Sequence, residues 1–265
     1  MKDPFSLEAK YYDKIWGSTR NPELYEEQAL FLHRVLEKHE AVRVLDLACG
    51  TGGHYLELSK LGYEIVGLDI SQAMLERARQ KLSEEGLKAD FVLSDMKAAY
   101  SSLEREKVSL PFDAAICMGY SLAHIPDDRS LEQTLEEVRR ILRQDGLLIF
   151  LVRNAKHLRD DLMRQVRMET LLNEPGPQLA LLCYNYRDDS NPDVLVWNAL
   201  WLINDHGKTD FQVRTHRLRW FRYGHLKQSL EDHNISVIST YGDALGQEGF
   251  QEDVHDSMLM VCRKR

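Results

Sequence analysis

The chain has 265 residues, of which 43% are hydrophobic and 29% charged, proportions that exclude a disordered chain and suffice for one large α/β domain with an insertion. Its formal charge of −8 argues against nucleic acid or an acidic membrane as partner, because proteins that bind those surfaces present a basic face. Apolar runs such as Leu147 to Val152 are too short to span a bilayer, and the start Met1-Lys-Asp-Pro-Phe lacks the apolar stretch of a signal peptide.

From Pro22 to His39, Leu24, Leu30, Phe31, Val35 and Leu36 recur at helical spacing, and Val42 to Ala48 then reads as a buried strand. A helical run to Leu61, a strand Tyr63 to Asp69, a helix Ser71 to Glu85 and a strand Ala89 to Leu93 follow, an alternation that predicts a parallel sheet covered by helices on both faces. Phe112 to Met118 is a fourth strand, Ser130 to Arg143 a helix, and Leu147 to Val152 a fifth strand. After Arg153 a polar helical stretch runs to Leu172, and the break Asn173-Glu-Pro-Gly-Pro leads into three antiparallel runs, Gln178 to Arg187, Val194 to Asn204 and Phe211 to Arg222. A helix Tyr223 to Asp232 and strands Ile235 to Tyr241 and Ser257 to Cys262 complete the chain.

The expected fold is therefore α/β: a seven-stranded, mostly parallel, Rossmann-like sheet with its last strand antiparallel and an antiparallel β insertion after strand five. Four regions are expected, an N-terminal helical lid over 1–41, a cofactor-binding core over 42–153, an inserted cover over 154–222 and a C-terminal completion of the sheet over 223–265. The cysteines at 49, 117, 183 and 262 form no C-x-x-C pair, so no metal site or disulfide framework is expected and a reducing cytoplasm fits best.

Chemistry should follow the first strand. In Val44-Leu-Asp-Leu-Ala-Cys-Gly-Thr-Gly-Gly-His the glycines let the backbone turn sharply and pass close to a ligand. Asp69 ends the second strand, where a carboxylate can accept both hydroxyls of a ribose. An adenosine cofactor is implied, either a dinucleotide or a methionine derivative. Asp46, just before the turn, would repel a pyrophosphate and attract a cationic amino group. A nicotinamide-dependent oxidoreductase and a catalytically silent cofactor-binding subunit stand as rival readings.

From Val44 to Gly52, Gly67-Leu-Asp-Ile-Ser and Leu142-Arg-Gln-Asp-Gly-Leu-Leu, the sequence resembles the class I S-adenosylmethionine-dependent methyltransferases. That resemblance implies S-adenosylmethionine as cofactor, with Asp46, Ala48, Gly50 and Gly52 on the first turn and Asp69 and Ile70 after the second strand. It also implies Asp95 and Met96 at the adenine and Met118 beside the methionyl part. Gly17-Ser-Thr-Arg20, Ile116-Cys-Met-Gly-Tyr-Ser-Leu-Ala-His-Ile-Pro-Asp127 and Arg153-Asn154 resemble the glycine N-methyltransferase and glycine/sarcosine N-methyltransferase family.

In that family the arginine aligned with Arg153 holds the substrate carboxylate, a role a guanidinium fork can fill with two bonds. Tyr120 stands where the family has an asparagine that helps bind glycine, so it is a candidate substrate contact and the identity of the acceptor is open. His124, just beyond the fourth strand, is a candidate general base, or fastens its loop by hydrogen bonding. Tyr11, Tyr12, Trp16 and Tyr25 could close over the site, and Tyr184, Tyr186, Trp197, Trp201, Trp220 and Tyr223 could line a substrate cavity. His54 reads as helix surface. The resemblance implies a small-molecule methyl acceptor, glycine, sarcosine or a related amine or another metabolite with an O- or N-acceptor, and a homo-oligomer.

Overall fold

The computed structural model describes residues 3, 5–17, 20–158, 167–171 and 178–265. In chain order the core carries α1 (Glu8–Ile15), α2 (Pro22–Lys38), β1 (Arg43–Leu47), α3 (Gly53–Lys60), β2 (Glu64–Asp69), α4 (Gln72–Glu84), β3 (Asp90–Leu93), α5 (Ala99–Arg105), β4 (Phe112–Cys117), α6 (Asp128–Ile141) and β5 (Leu142–Arg153). The insertion contributes β6 (Arg167–Leu171), β7 (Gln178–Asp188), β8 (Asn191–Asp205) and β9 (Lys208–Arg219), after which α7 (Tyr223–Asp232), β10 (Ile235–Tyr241) and β11 (Ser257–Lys264) close the chain.

The main sheet has the order β3-β2-β1-β4-β5-β11-β10, and β11 alone runs antiparallel to its neighbours. Strands buried on both faces alternate which layer they feed. Leu45, Leu47, Phe112, Ala115, Phe150 and Met260 pack with the inner residues of α5, α6 and α7. Val44, Ile116, Ile149, Leu151 and Leu259 pack with α2, α3 and Leu82 of α4. Because β1 has β2 on one side and β4 on the other, the chain departs from it in opposite directions, and a crevice opens at the carboxyl ends of these strands. α5 turns only Ala99, Ser102 and Leu103 inward, too short a run to be read from spacing.

Two expectations about the insertion are corrected. The stretch expected to be helical up to Leu172 contains a strand, since β6 pairs antiparallel with β7 from Arg167↔Cys183 to Leu171↔Leu179, and sheet pairing overrides the helical pattern. The cover accordingly has four strands, in the order β6-β7-β8-β9, rather than three. Residues 159–166 and the break at 173–177 lie outside the described residues. Alternation along β7, β8 and β9 sends Leu179, Leu181, Ala199 and Trp201 inward against Leu7, Ile15 and Trp16 of the N-terminal segment, while Tyr184, Tyr186, Phe211 and Val213 face outward.

β9 ends at Arg219, before the expected Arg222, because the chain there is recaptured by the core. The Phe221 N–H donates to the Arg153 carbonyl at 2.8 Å and the Ala155 N–H to the Phe221 carbonyl at 2.9 Å, so the insertion leaves and returns through one short bridge. Asn154 at that bridge is fully buried; its Nδ2 donates to the carbonyls of Glu252 (2.9 Å) and His255 (2.8 Å), joining β5 to the loop before β11. Asn154→Ala strands both carbonyls, and we expect it to lower the unfolding free energy by about 2 kcal/mol, read as a lower urea midpoint at an unchanged slope.

Candidate active site

The crevice at the ends of β1, β2 and β4 is the floor of a cavity of about 580 Å³, which reaches up to the inner face of the inserted sheet. That size suits a drug-sized ligand. Its first wall is the turn after β1, where Ala48, Gly50 and Gly52 all adopt left-handed backbone conformations. At Gly52 a Cβ would stand 3.1 Å from Ala78 Cβ as well as at φ +75°, so this glycine serves the packing of the turn on α4; it is not on the cavity wall. At Gly53 a Cβ would collide with the Tyr25 ring at 2.4 Å, and that close approach brings Tyr25 onto the wall.

Two carboxylates stand at the ends of β1 and β2. Asp69, 6% exposed, accepts the Gly50 N–H on Oδ2 at 2.8 Å and the Ser71 N–H on Oδ1 at 2.9 Å. Each oxygen retains capacity for a further hydrogen bond. Burial pushes its pKa up, against the pull of those two backbone donors. Asp46 is 2% exposed and its Oδ2 makes no hydrogen bond. Burial first, and the neighbouring charge of Asp69 second, push its pKa up to about 8.

Ile70, Met96 and Met118 also line the cavity, as do Tyr120 and His124 beyond β4. Asp95 does not: it caps the short turn Met96–Ala98, accepting the Lys97 N–H at 2.9 Å and pairing with Lys97 Nζ at 3.4 Å, and leaves the wall to Met96. Arg153 is also off the wall. Its guanidinium lies 4.1 Å from the centre of the Tyr120 ring and bonds Asp256 at 2.9 Å and Ser257 Oγ at 3.1 Å. Arg153 thus backs Tyr120, whose hydroxyl is 3.2 Å from the same Ser257 Oγ. His124 keeps an accessible face on the cavity, and burial of the rest of its ring, with His216 beside it, lowers its pKa to about 4.

His54 is corrected from helix surface to buried. It packs 4.7 Å from the Tyr25 ring with Nε2 at 2.7 Å from Gln28 Oε1, and burial lowers its pKa to about 4. Of the N-terminal aromatics Tyr12, Trp16 and Tyr25 reach the cavity, whereas Tyr11 packs on Trp201 at 6.0 Å. Of the inserted aromatics Trp197 alone lines it. Sequence reasoning missed Phe5, Glu8, Gln28 and His216, also on the wall, because nothing in local spacing places an N-terminal helix under a strand two hundred residues later. Among the described residues no three His, Cys, Asp or Glu side chains could hold a metal ion, and no helix is long and apolar enough to cross a membrane.

Residues 44–146 match the family described as a methyltransferase domain. The glycine/sarcosine N-methyltransferase of Aphanothece halophytica is 28% identical over 244 residues, 88% of this chain and 80% of that protein. The glycine N-methyltransferase of Oryctolagus cuniculus is 33% identical over 160 residues, 55% of this chain and 52% of that protein. Among solved structures, an S-adenosylmethionine-dependent methyltransferase from Clostridium acetobutylicum superposes with a TM-score of 0.78 at 18% identity, covering 98% of both chains. The sugar N-methyltransferase KedS8 from Streptoalloteichus gives 0.72 at 21% identity over 91% of this chain and 88% of its own; at such identities these two likenesses establish the fold. With a methyltransferase domain over residues 44–146 and similarity to methyltransferases along most of its length, the chain is an S-adenosylmethionine-dependent methyltransferase.

Proposed function

We propose that the enzyme methylates a nitrogen of a small molecule enclosed between the core and the inserted sheet. The observation that carries this reading is that a single cavity has the glycine turn, Asp46 and Asp69 at one end and Tyr120, His124, Trp197 and His216 at the other, so cofactor and acceptor can share one enclosed space. Relatives named glycine/sarcosine N-methyltransferase support nitrogen as the accepting atom.

The residues present fit S-adenosylmethionine. Asp46 has a buried oxygen without a partner, which a cationic amino group beside it would satisfy while returning the carboxyl to its charged form. Asp69 is held rigid by two backbone donors and has acceptor capacity left for a ribose diol. Ile70 and Met96 supply apolar wall beyond it, and Ala48, Gly50 and Met118 the remainder of this end, whereas Gly52 and Asp95 act by shaping the turns that carry these contacts. When bound, the cofactor supplies a methyl carbon that a nitrogen lone pair attacks in line while sulfur keeps the bonding electrons.

What the chain adds is alignment and exclusion of water, effects that together supply up to about 7–11 kcal/mol in favourable cases. Tyr120, held from behind by Arg153 and Ser257, presents a fixed ring to the acceptor end. His124, its pKa lowered to about 4, is neutral at physiological pH; it can accept a hydrogen bond but is a weak base, so the acceptor amine sheds its proton to solvent.

Asp69→Ala should raise the dissociation constant of S-adenosylhomocysteine by about 100-fold, measured by calorimetry, because charge-assisted bonds are lost and the glycine turn is released. A second expectation concerns pH. Between its unfolded value near 3.8 and its folded value of about 8, Asp46 holds a proton in the folded protein that the unfolded chain has lost, so stability falls as pH rises. His54 and His124, lowered from 6.5 to about 4, act in the opposite sense, but only below pH 6.5. The free protein should therefore lose stability from pH 6.5 to 8, by up to about 1.4 kcal/mol per unit, and Asp46→Asn should flatten that slope in denaturant titrations.

The acceptor is tested by following S-adenosylhomocysteine release with glycine, with sarcosine and with a small-molecule cell extract. Turnover giving an N-methylated product is expected from at least one of the three; an O-methylated product, or no turnover in any, overturns the nitrogen assignment.

A further inference from the structure

Glu8, the first residue of α1, is 4% exposed, lies on the cavity wall, and has a side-chain oxygen, Oε2, that makes no hydrogen bond. Its other oxygen is compensated from the inserted sheet: Oε1 lies 3.3 Å from His216 Nε2 and 3.9 Å from Arg214 Nε, both on the inward row of β9. A buried carboxylate with half its acceptor capacity unmade is costly unless something polar completes it.

The surroundings are aromatic. Phe5 stacks on His216 with centroids 5.5 Å apart and meets His124 edge-on at 5.4 Å; His124 and His216 are 5.5 Å apart, and Trp197, directly opposite His216 in the β8–β9 register, is 5.3 Å from it. Three separate parts of the chain, the N-terminal segment, the turn after β4 and the inserted sheet, thus converge on one anionic group inside a box of rings. Rings and a carboxylate together attract a cation through both the ring quadrupole and direct charge.

We infer that Glu8 is the specificity residue of the acceptor end, selecting an amine whose ammonium docks on its carboxylate and whose apolar, ring-sized body packs against Phe5, Trp197 and His216. This deepens the N-methyltransferase reading and rests on it. The amine arrives as its cation, loses the extra proton to solvent, and keeps an N–H bonded to Glu8. The nitrogen is left with a free lone pair and a fixed direction. Glu8 acts here by gathering and orienting the acceptor and takes no proton itself.

The test uses the protein saturated with S-adenosylhomocysteine, whose binding is titrated first, and three probes of one shape: cyclohexylamine, cyclohexanol and cyclohexanecarboxylate. Binding is followed by the fluorescence of tryptophan, since Trp197 lines the cavity. The wild type should bind the amine at least about tenfold more tightly than the alcohol, and the carboxylate least. Glu8→Gln should erase the difference between amine and alcohol while Glu8→Asp retains part of it, with S-adenosylhomocysteine affinity within about twofold of wild type in both.

Equal binding of amine and alcohol by the wild type, an undiminished preference in Glu8→Gln, or no binding of any probe overturns the inference. The wild-type comparison needs no variant. Because cofactor binding is read separately, a protein that binds S-adenosylhomocysteine and turns over an acceptor but shows no amine preference overturns the role of Glu8 alone, leaving the N-methyltransferase reading in place.

Discussion

The carboxylate of Asp69 ties two backbone turns into one surface. One oxygen holds the N–H of Gly50 after β1, and the other holds the N–H of Ser71 at the start of α4. Two turns from successive βα units, each free to drift if left alone, are thereby locked at the place where the strand order reverses. The rest of the site is arranged on this fixed edge: Asp46 beside it, the Gly52 and Gly53 close approaches behind it, and Tyr25 pressed onto the cavity by the missing Cβ of Gly53. A carboxylate that both builds the turn and lines the cavity leaves little room for substitution, since any change alters scaffold and wall together.

The adjacent Asp46 follows the opposite logic. It has no backbone donor to stabilise its charge on Oδ2 and is buried next to a second carboxylate, so the free protein keeps it protonated well above the usual range. A carboxyl held this way is neutral where an ordinary aspartate is charged. Asp69 is satisfied from within the protein, whereas Asp46 keeps a buried oxygen without a hydrogen-bond partner.

What was legible in the sequence was local. The glycine turn, Asp46 and Asp69 announce themselves because a strand, a turn and a helix are consecutive in the chain and their spacing carries the geometry. Arg153 was legible as a residue at the end of β5, but its engagement by Asp256 and Ser257, more than a hundred positions on, was not. The same holds for Glu8 and His216, which meet only because α1 is packed beneath the inserted sheet. The strand at Arg167–Leu171 was hidden for a related reason: an edge strand is stabilised by its neighbour β7, and its own residues read as a polar helix. Asp95 marks a third limit, since a residue type suited to a ligand is equally suited to capping a turn, as it does here.

The chain of the insertion leaves and re-enters the core at one bridge, where Arg153, Ala155 and Phe221 exchange backbone hydrogen bonds and Asn154 is buried beside them. The strands that roof the cavity lie between its two arms, joined by hairpins at Asp188 to Asn191 and Asp205 to Lys208. Such an attachment separates inheritance from invention. The core can be kept unchanged while the roof is lengthened, shortened or repainted, so the end of the cavity built by the turns after β1 and β2 is spared when the end under the inserted sheet is remade.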